Sequence, residues 1–121
     1  MRKGNKVFIF DDNEELLELC TIILEDFGCV IKTATSAENV EHALLDFMPD
    51  IILMDNWIPG ISGIEATQMI KKHELLKHIP VIYFSANSNI HDLAAQAGAD
   101  DVLAKPFDIA ALENIVKKYI I

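Results

Sequence analysis

Long apolar runs are missing from this 121-residue chain. Segments such as Ile51–Met54 and Pro80–Phe84 are only a handful of residues, against the roughly 18 that a bilayer-spanning helix needs. The amino-terminal MRKGNKVFIF is apolar over too short a stretch for a secretory leader, and it lacks a small-residue cleavage site. Cysteine is scarce. Cys20 and Cys29 do not make a disulfide framework, and Cys20 falls in an apolar helical pattern where it reads as a small buried hydrophobe. Positive charge is also short, with 10 basic residues against 19 acidic ones and a net charge of −9. No basic stripe is present to meet a phosphate backbone, which argues against direct nucleic-acid binding. Glycine (5) and proline (4) are too few for a disordered or collagen-like chain, and 51% hydrophobic with 24% charged residues is a globular composition. A chain of this length is one domain's worth and buries roughly 60–70% of its unfolded surface. Together these features indicate a soluble protein in a reducing, cytoplasmic setting, with neither membrane nor nucleic acid as a partner.

What the chain does have is strand and helix in alternation. Lys6–Phe10 is an apolar run of strand formers. Asn13 is placed to cap a helix whose apolar face carries Leu16, Cys20, Ile23, Leu24 and Phe27, and Gly28 stops it. Residues 30–35 mix β-branched side chains with Lys32 and Thr33, as suits an edge strand. Ser36 is the expected cap of a second helix carrying Ala37, Val40, Leu44 and Phe47, ended by Pro49. Residues 50–55 contain IILM, the continuous apolar run of a strand buried on both faces. After a loop with Pro59 and Gly60, Ser62 and Glu65 form a capping box for the third helix. Residues 80–85 read as another buried strand. Ile90, Leu93, Ala94 and Ala97 mark a fourth helix closed by Gly98. Residues 102–104 make a short fifth strand, and Asp108 caps a last helix with Ile109, Leu112, Val116 and Tyr119 facing inward. Five βα units predict a parallel sheet with helices on both faces: an α/β, flavodoxin-like (βα)5 three-layer sandwich with strand order 2-1-3-4-5. Ligands in such sheets bind beyond the carboxyl ends of the strands, at the crevice between the first and third.

Those carboxyl ends carry the chemistry. The first strand ends in Asp11 and Asp12, the third in Asp55 and the fourth in Ser85, and the fifth runs into Lys105 and Pro106. Singly, each reads as a loop-starting, capping or solvated residue. As a set they converge on one rim, because each must land at the same end of a different strand. Carboxylates crowded together repel, and a divalent cation resolves the conflict. Oxygen-only ligation with several retained waters suits Mg²⁺, and no Cys/His cluster offers a softer site. The histidines His42, His73, His78 and His91 lie on helices or their ends without a paired-ligand pattern. A carboxylate beside Mg²⁺ and a lysine suggests phosphoryl transfer, with aspartate as a nucleophile already ionised and the cation and Lys105 neutralising the incoming oxygens.

The segments FIFDDNEE, IILMDNWIPGISGIEA, IPVIYFSA and AGADDVLAKPF, in that order and spacing, resemble the receiver domain of two-component response regulators over essentially the whole chain. The resemblance implies one receiver domain over residues 1–121, standing alone or as a piece of a longer regulator. It implies Asp55 as phosphoacceptor, Asp11 and Asp12 as the acidic pair that binds Mg²⁺, and the backbone carbonyl of Trp57 as a further ligand beside Asp55. It implies Ser85 as the switch hydroxyl, Lys105 as the family's lysine and Pro106 after a cis peptide. The phosphoryl group would come from a sensor histidine kinase, a histidine phosphotransfer protein or a small phosphodonor. Such a domain promotes its own phosphorylation without being a turnover enzyme. The downstream protein target stays unidentified, and homodimerisation on phosphorylation stays open.

The chain departs from the receiver pattern at two positions. Val102 stands three residues before the lysine, where receivers commonly carry Tyr or Phe, so no aromatic ring can swing inward there. Trp57 is large for its position two residues after Asp55. It reads either as a tolerated surface residue or as a lid that, together with Asn87, tunes the lifetime of the phosphorylated form. Three other readings compete. A receiver-like binding module without phosphorylation would not need all five site residues. A Mg²⁺-dependent aspartyl phosphatase resembles D-x-D, whereas Asp55 is followed by Asn56 and Trp57. A flavin carrier would cradle a phosphate in its first loop, which DDNEE repels.

Overall fold

Each short run of Ile, Val, Leu and Phe becomes a strand, and each amphipathic stretch becomes a helix laid across it. The computed structural model describes residues 4–120. In chain order the elements are β1 (Lys6–Phe10), α1 (Glu14–Asp26), β2 (Val30–Ala34), α2 (Val40–Phe47), β3 (Ile51–Asp55), α3 (Gly63–Lys72), β4 (Val81–Ser85), α4 (Ile90–Ala97), β5 (Asp101–Ala104) and α5 (Ile109–Tyr119). All strand pairs are parallel, and the sheet order is β2-β1-β3-β4-β5, as the alternation predicts.

The two central strands β3 and β4 are buried at every residue, which accounts for their unbroken apolar runs. Edge strand β2 exposes Lys32 and Thr33. Alternate strand residues serve opposite faces. On one face Val7, Ile9, Leu53, Ile82 and Phe84 pack with Leu17, Cys20 and Leu24 of α1 and with Leu112 and Val116 of α5. On the other, Phe8, Phe10, Ile52 and Met54 pack with Val40 and Leu44 of α2 and with Ala66 and Ile70 of α3. Helix α4 covers Tyr83.

Several helix details differ from the sequence expectation. The buried stripe of α1 is centred on Leu17, Cys20 and Leu24, and Leu16, Ile23 and Phe27 pack at its margins. Asn13 does cap it, accepting from the Leu16 N–H at 3.1 Å, and Gly28 leaves it at φ 101°. Ser36 does not cap α2. The N-cap is Asn39, without a side-chain bond, because the Ala37 N–H is drawn to the Pro59 carbonyl at 2.8 Å and a turn intervenes before Val40. Helix α2 ends at Phe47, with Met48 in the left-handed region at φ 49° just before Pro49. Strand β5 begins one residue earlier than expected, at Asp101. Ile109 is exposed rather than inward, while Leu112 and Val116 are fully covered. Cys20 and Cys29 are both buried free thiols; burial, helped by the Asp11 charge, pushes the Cys20 thiol up to about 11. Among the described residues no helix is long and apolar enough to cross a membrane.

Helix α3 is pressed onto the end of β3. Its cap Ser62 accepts from the Glu65 N–H at 3.1 Å, and the Gly63 N–H donates to the Asn56 carbonyl at 3.0 Å. A methyl group at Gly63 would lie 2.1 Å from the Asp55 carbonyl oxygen, which is backbone and cannot step aside cheaply. Gly63→Ala should therefore lower stability by about 1–3 kcal/mol. Urea denaturation measures this directly, and an unchanged midpoint would show that α3 is free to slide away.

Candidate functional site

Strand order dictates what meets at the carboxyl rim. Strands β1 and β3 are neighbours, so the residues that follow or end them are neighbours too. Carboxylate oxygens of Asp11, Asp12 and Asp55 all lie within 4.8 Å of one another. Asp11 is buried, held by its N–H to the Ala34 carbonyl (3.1 Å) and by Oδ1 accepting from the Asn13 N–H (2.9 Å). Asp12 is exposed. Asp55 is buried as the last residue of β3.

Lys105 closes the cluster from the far edge of the sheet. Its Nζ lies 2.5 Å from Asp11 Oδ2 and 3.3 Å from Asp55 Oδ1, and 4.6 Å above the centre of the Phe84 ring. The Lys105 N–H donates to the Ser85 carbonyl at 2.9 Å, fixing the start of this loop to the end of β4. The Lys105–Pro106 peptide is cis. Ser85 is buried, and its hydroxyl oxygen accepts from the Asn87 N–H at 3.1 Å. The structure thus brings Asp11, Asp12, Asp55 and Lys105 together and sets Ser85 at the adjacent strand end.

Two residues singled out in the sequence stand apart from the cluster. The Trp57 side chain is 76% exposed, so it does not cover Asp55 in this structure. Asn87 is engaged locally: its Oδ1 accepts from the Asn89 N–H at 2.8 Å and its carbonyl from Ile90 at 3.2 Å, starting α4. Sequence reasoning missed Tyr83 and Asn56. The Tyr83 hydroxyl donates to Asn56 Oδ1, directly beside Asp55. The available signals were the i, i+2 spacing of Tyr83 and Ser85, which puts both on one sheet face, and the adjacency of Asn56 to Asp55.

Electrostatically the rim is short of positive charge. One ammonium faces three carboxylates. Burial first, and the Asp11 charge second, push the Asp55 carboxyl up to about 6, against the lowering pull of Lys105. The donors are all oxygen, with no thiolate or imidazole in the cluster, and the excess negative charge is what a hard divalent cation balances.

A doubly wound sheet with an acidic, lysine-closed crevice at its switch point defines the class: a flavodoxin-like α/β protein with a carboxylate site suited to a hard cation. Comparison with known proteins makes this specific. The model of the response regulator receiver domain matches residues 7–117. The chain is 32% identical to the phosphate regulon transcriptional regulatory protein PhoB of Pseudomonas aeruginosa, over 95% of its own length and 53% of PhoB. It therefore spans about half of that relative. It is 33% identical to the polar-differentiation response regulator DivK of Brucella ovis, covering 94% of each. The solved receiver domain of a sensor histidine kinase from Pseudomonas aeruginosa superimposes with a TM-score of 0.87 at 27% identity, covering 96% of this chain and 97% of that one. That structure carries a magnesium ion in its active-site cleft. The chain belongs to the response regulator receiver domain family of two-component systems.

The raised Asp55 value sets a pH-dependent cost. The folded protein holds this proton more tightly than an unfolded chain, whose carboxyl has its ordinary value of 3.8. Stability is therefore untaxed below that value and is lost as pH rises through about 6. In metal-free buffer Asp55→Asn should stabilise the fold at pH 7.5 by about 1–3 kcal/mol, and the gain should shrink towards pH 4. Thermal melts across this range check it; a destabilised variant at pH 7.5 would mean that the Lys105 contact outweighs burial.

Proposed function

We propose that this receiver domain accepts a phosphoryl group on Asp55 from a sensor histidine kinase or a histidine phosphotransfer protein. The observation that carries the reading is the convergence of Asp11, Asp12, Asp55 and Lys105 on one rim, from three strand ends far apart in sequence. Asp11 and Asp12, with Asp55 and the backbone carbonyl of Trp57, would hold Mg²⁺. When bound, the ion supplies positive charge to the crowded carboxylates and to the phosphoryl oxygens.

The work of this chain's own residues follows from their placement. An Asp55 carboxylate oxygen attacks phosphorus, and a new O–P bond forms as the donor's P–N bond breaks. The donor imidazole leaves with the bonding electron pair and takes up a proton. With a small donor such as acetyl phosphate, a P–O bond breaks instead and acetate leaves. No base on this chain is required, because the nucleophile gives up no proton. Lys105, already 3.3 Å from Asp55, offsets charge on the arriving oxygens. The Ser85 hydroxyl, whose oxygen now accepts from the Asn87 N–H, would then donate a hydrogen bond to the acquired phosphate. The product is a phosphorylated switch rather than a released metabolite, which is the sense in which the domain is not a turnover enzyme. By their positions in the receiver pattern, Trp57 and Asn87 would tune the lifetime of the phosphorylated form.

Incubation with Mg²⁺ and acetyl phosphate should add one phosphoryl mass that is labile to hydroxylamine, and Asp55→Asn should abolish it. Undiminished labelling of that variant sinks the assignment. Asp12→Ala should weaken Mg²⁺ binding by about tenfold or more, read by Trp57 fluorescence; this corresponds to roughly 1.4 kcal/mol. A superimposable titration would remove Asp12 from the metal site.

A further inference from the structure

Below the acidic rim, one buried polar side chain reaches the site from inside the sheet. Tyr83 lies mid-strand in β4 and is fully enclosed. Its ring is packed under α4 with Ile90, Ala94 and Ala97, and Val102 of β5 stands beside it in register. Its hydroxyl donates to Asn56 Oδ1. Asn56 directly follows Asp55 in the chain and is fastened beside the site, its carbonyl accepting from the Gly63 N–H at 3.0 Å. One short chain of contacts therefore runs from Asp55 through Asn56 and the phenol to α4. Burial, and secondarily the Asp55 charge, push the Tyr83 phenol up to about 12, so it remains a donor at neutral pH.

We propose that the Tyr83–Asn56 hydrogen bond is the link through which the state of Asp55 sets the position of α4. The proposal rests on Asp55 being the phosphoacceptor. A phosphoryl group brings close to two negative charges and three acceptor oxygens to the residue next to Asn56. The Asn56 side-chain amide is a neighbouring donor, and turning its N–H groups towards those oxygens withdraws Oδ1 from the phenol. A buried hydroxyl left without an acceptor is costly. The ring has no free volume of its own, so it finds a new partner only by moving with the helix packed on it. The two arrangements of this pair make a two-state element that both the phosphate and α4 bias.

Tyr83→Phe removes the hydroxyl and keeps the ring beneath α4. Asn56 is half-buried, so water can satisfy its released oxygen and the variant should fold. Wild type and variant are phosphorylated with acetyl phosphate and Mg²⁺, occupancy is read by intact mass, and amide hydrogen exchange is followed across Ile90–Ala97. Both proteins should reach the same occupancy. Exchange in α4 should change about fivefold or more in wild type, and less than about twofold in Tyr83→Phe. Asn56→Ala, whatever occupancy it reaches, should likewise keep the α4 response below about twofold between its own phosphorylated and unphosphorylated forms, and the double variant should add nothing further. An equal α4 response in phosphorylated wild type and Tyr83→Phe overturns the link and leaves Asp55 standing. So does a phosphorylated wild type whose α4 is silent. A wild type that acquires no phosphoryl mass overturns the phosphoacceptor reading and the link with it.

Discussion

Two buried carboxylates, Asp11 and Asp55, are held side by side by a single ammonium that has to come from the other edge of the sheet. This constraint orders much of the structure. Strands β1 and β3 are adjacent, so their acids meet without special arrangement. Strand β5 is separated from β3 by β4, and Lys105 therefore reaches back across the end of β4. It does so over the Phe84 ring at 4.6 Å, and Phe107 packs against the same ring at 5.4 Å. The aromatic face gives the lysine a favourable path, worth about 0.5–2 kcal/mol, that a polar strand end would not. A charge cluster at the rim and an aromatic core beneath it are thus one design.

The rim is bearable because the sheet below it is so apolar. Every residue of β3 before Asp55, and every residue of β4 before Ser85, is completely buried. Each large side chain among them contributes about 1.5–3 kcal/mol. Against that background an unfavourable Asp55 is tolerated, and its raised value records how little the surroundings compensate its charge. Catalytic and binding acids are commonly kept at such a cost, because a fully satisfied carboxylate would have no reason to take a cation or a new covalent partner.

Strands were legible from sequence because burial on both faces leaves an unmistakable apolar run, and because β2 alone mixes in Lys32 and Thr33. The rim followed from them, since any residue just past a parallel strand lies on the same edge. Helix ends were less legible. The Ser36 cap failed because Ala37 is tied to Pro59, from a loop far along the chain, and a turn delays the helix until Val40. Ile109 sits on the correct stripe of α5 yet is exposed. Periodicity locates a stripe but not where the sheet beneath it stops. The Trp57 side chain faces solvent for a related reason: a loop residue has no periodic pattern to orient it. The Tyr83–Asn56 contact needed the register between β3 and β4, which pairs Met54 with Tyr83 and lifts the phenol towards the residue after Asp55.

The helix above that contact buries fewer large side chains than α1 does. Helix α1 buries Leu17, Cys20 and Leu24, whereas α4 buries Ile90 and two alanines. An alanine methyl removes little apolar surface from water, so α4 gains far less from burial than a leucine-bearing helix of equal length. Elements with few buried apolar contacts open and shift at low free-energy cost. A hydrogen bond contributes about 0.5–1.5 kcal/mol net, too little to move a helix anchored by large side chains. It is comparable with what separates two positions of a helix resting on alanines and one tyrosine ring. The small residues of IHDLAAQA therefore make α4 the element on which a modest change beside Asp55 can register.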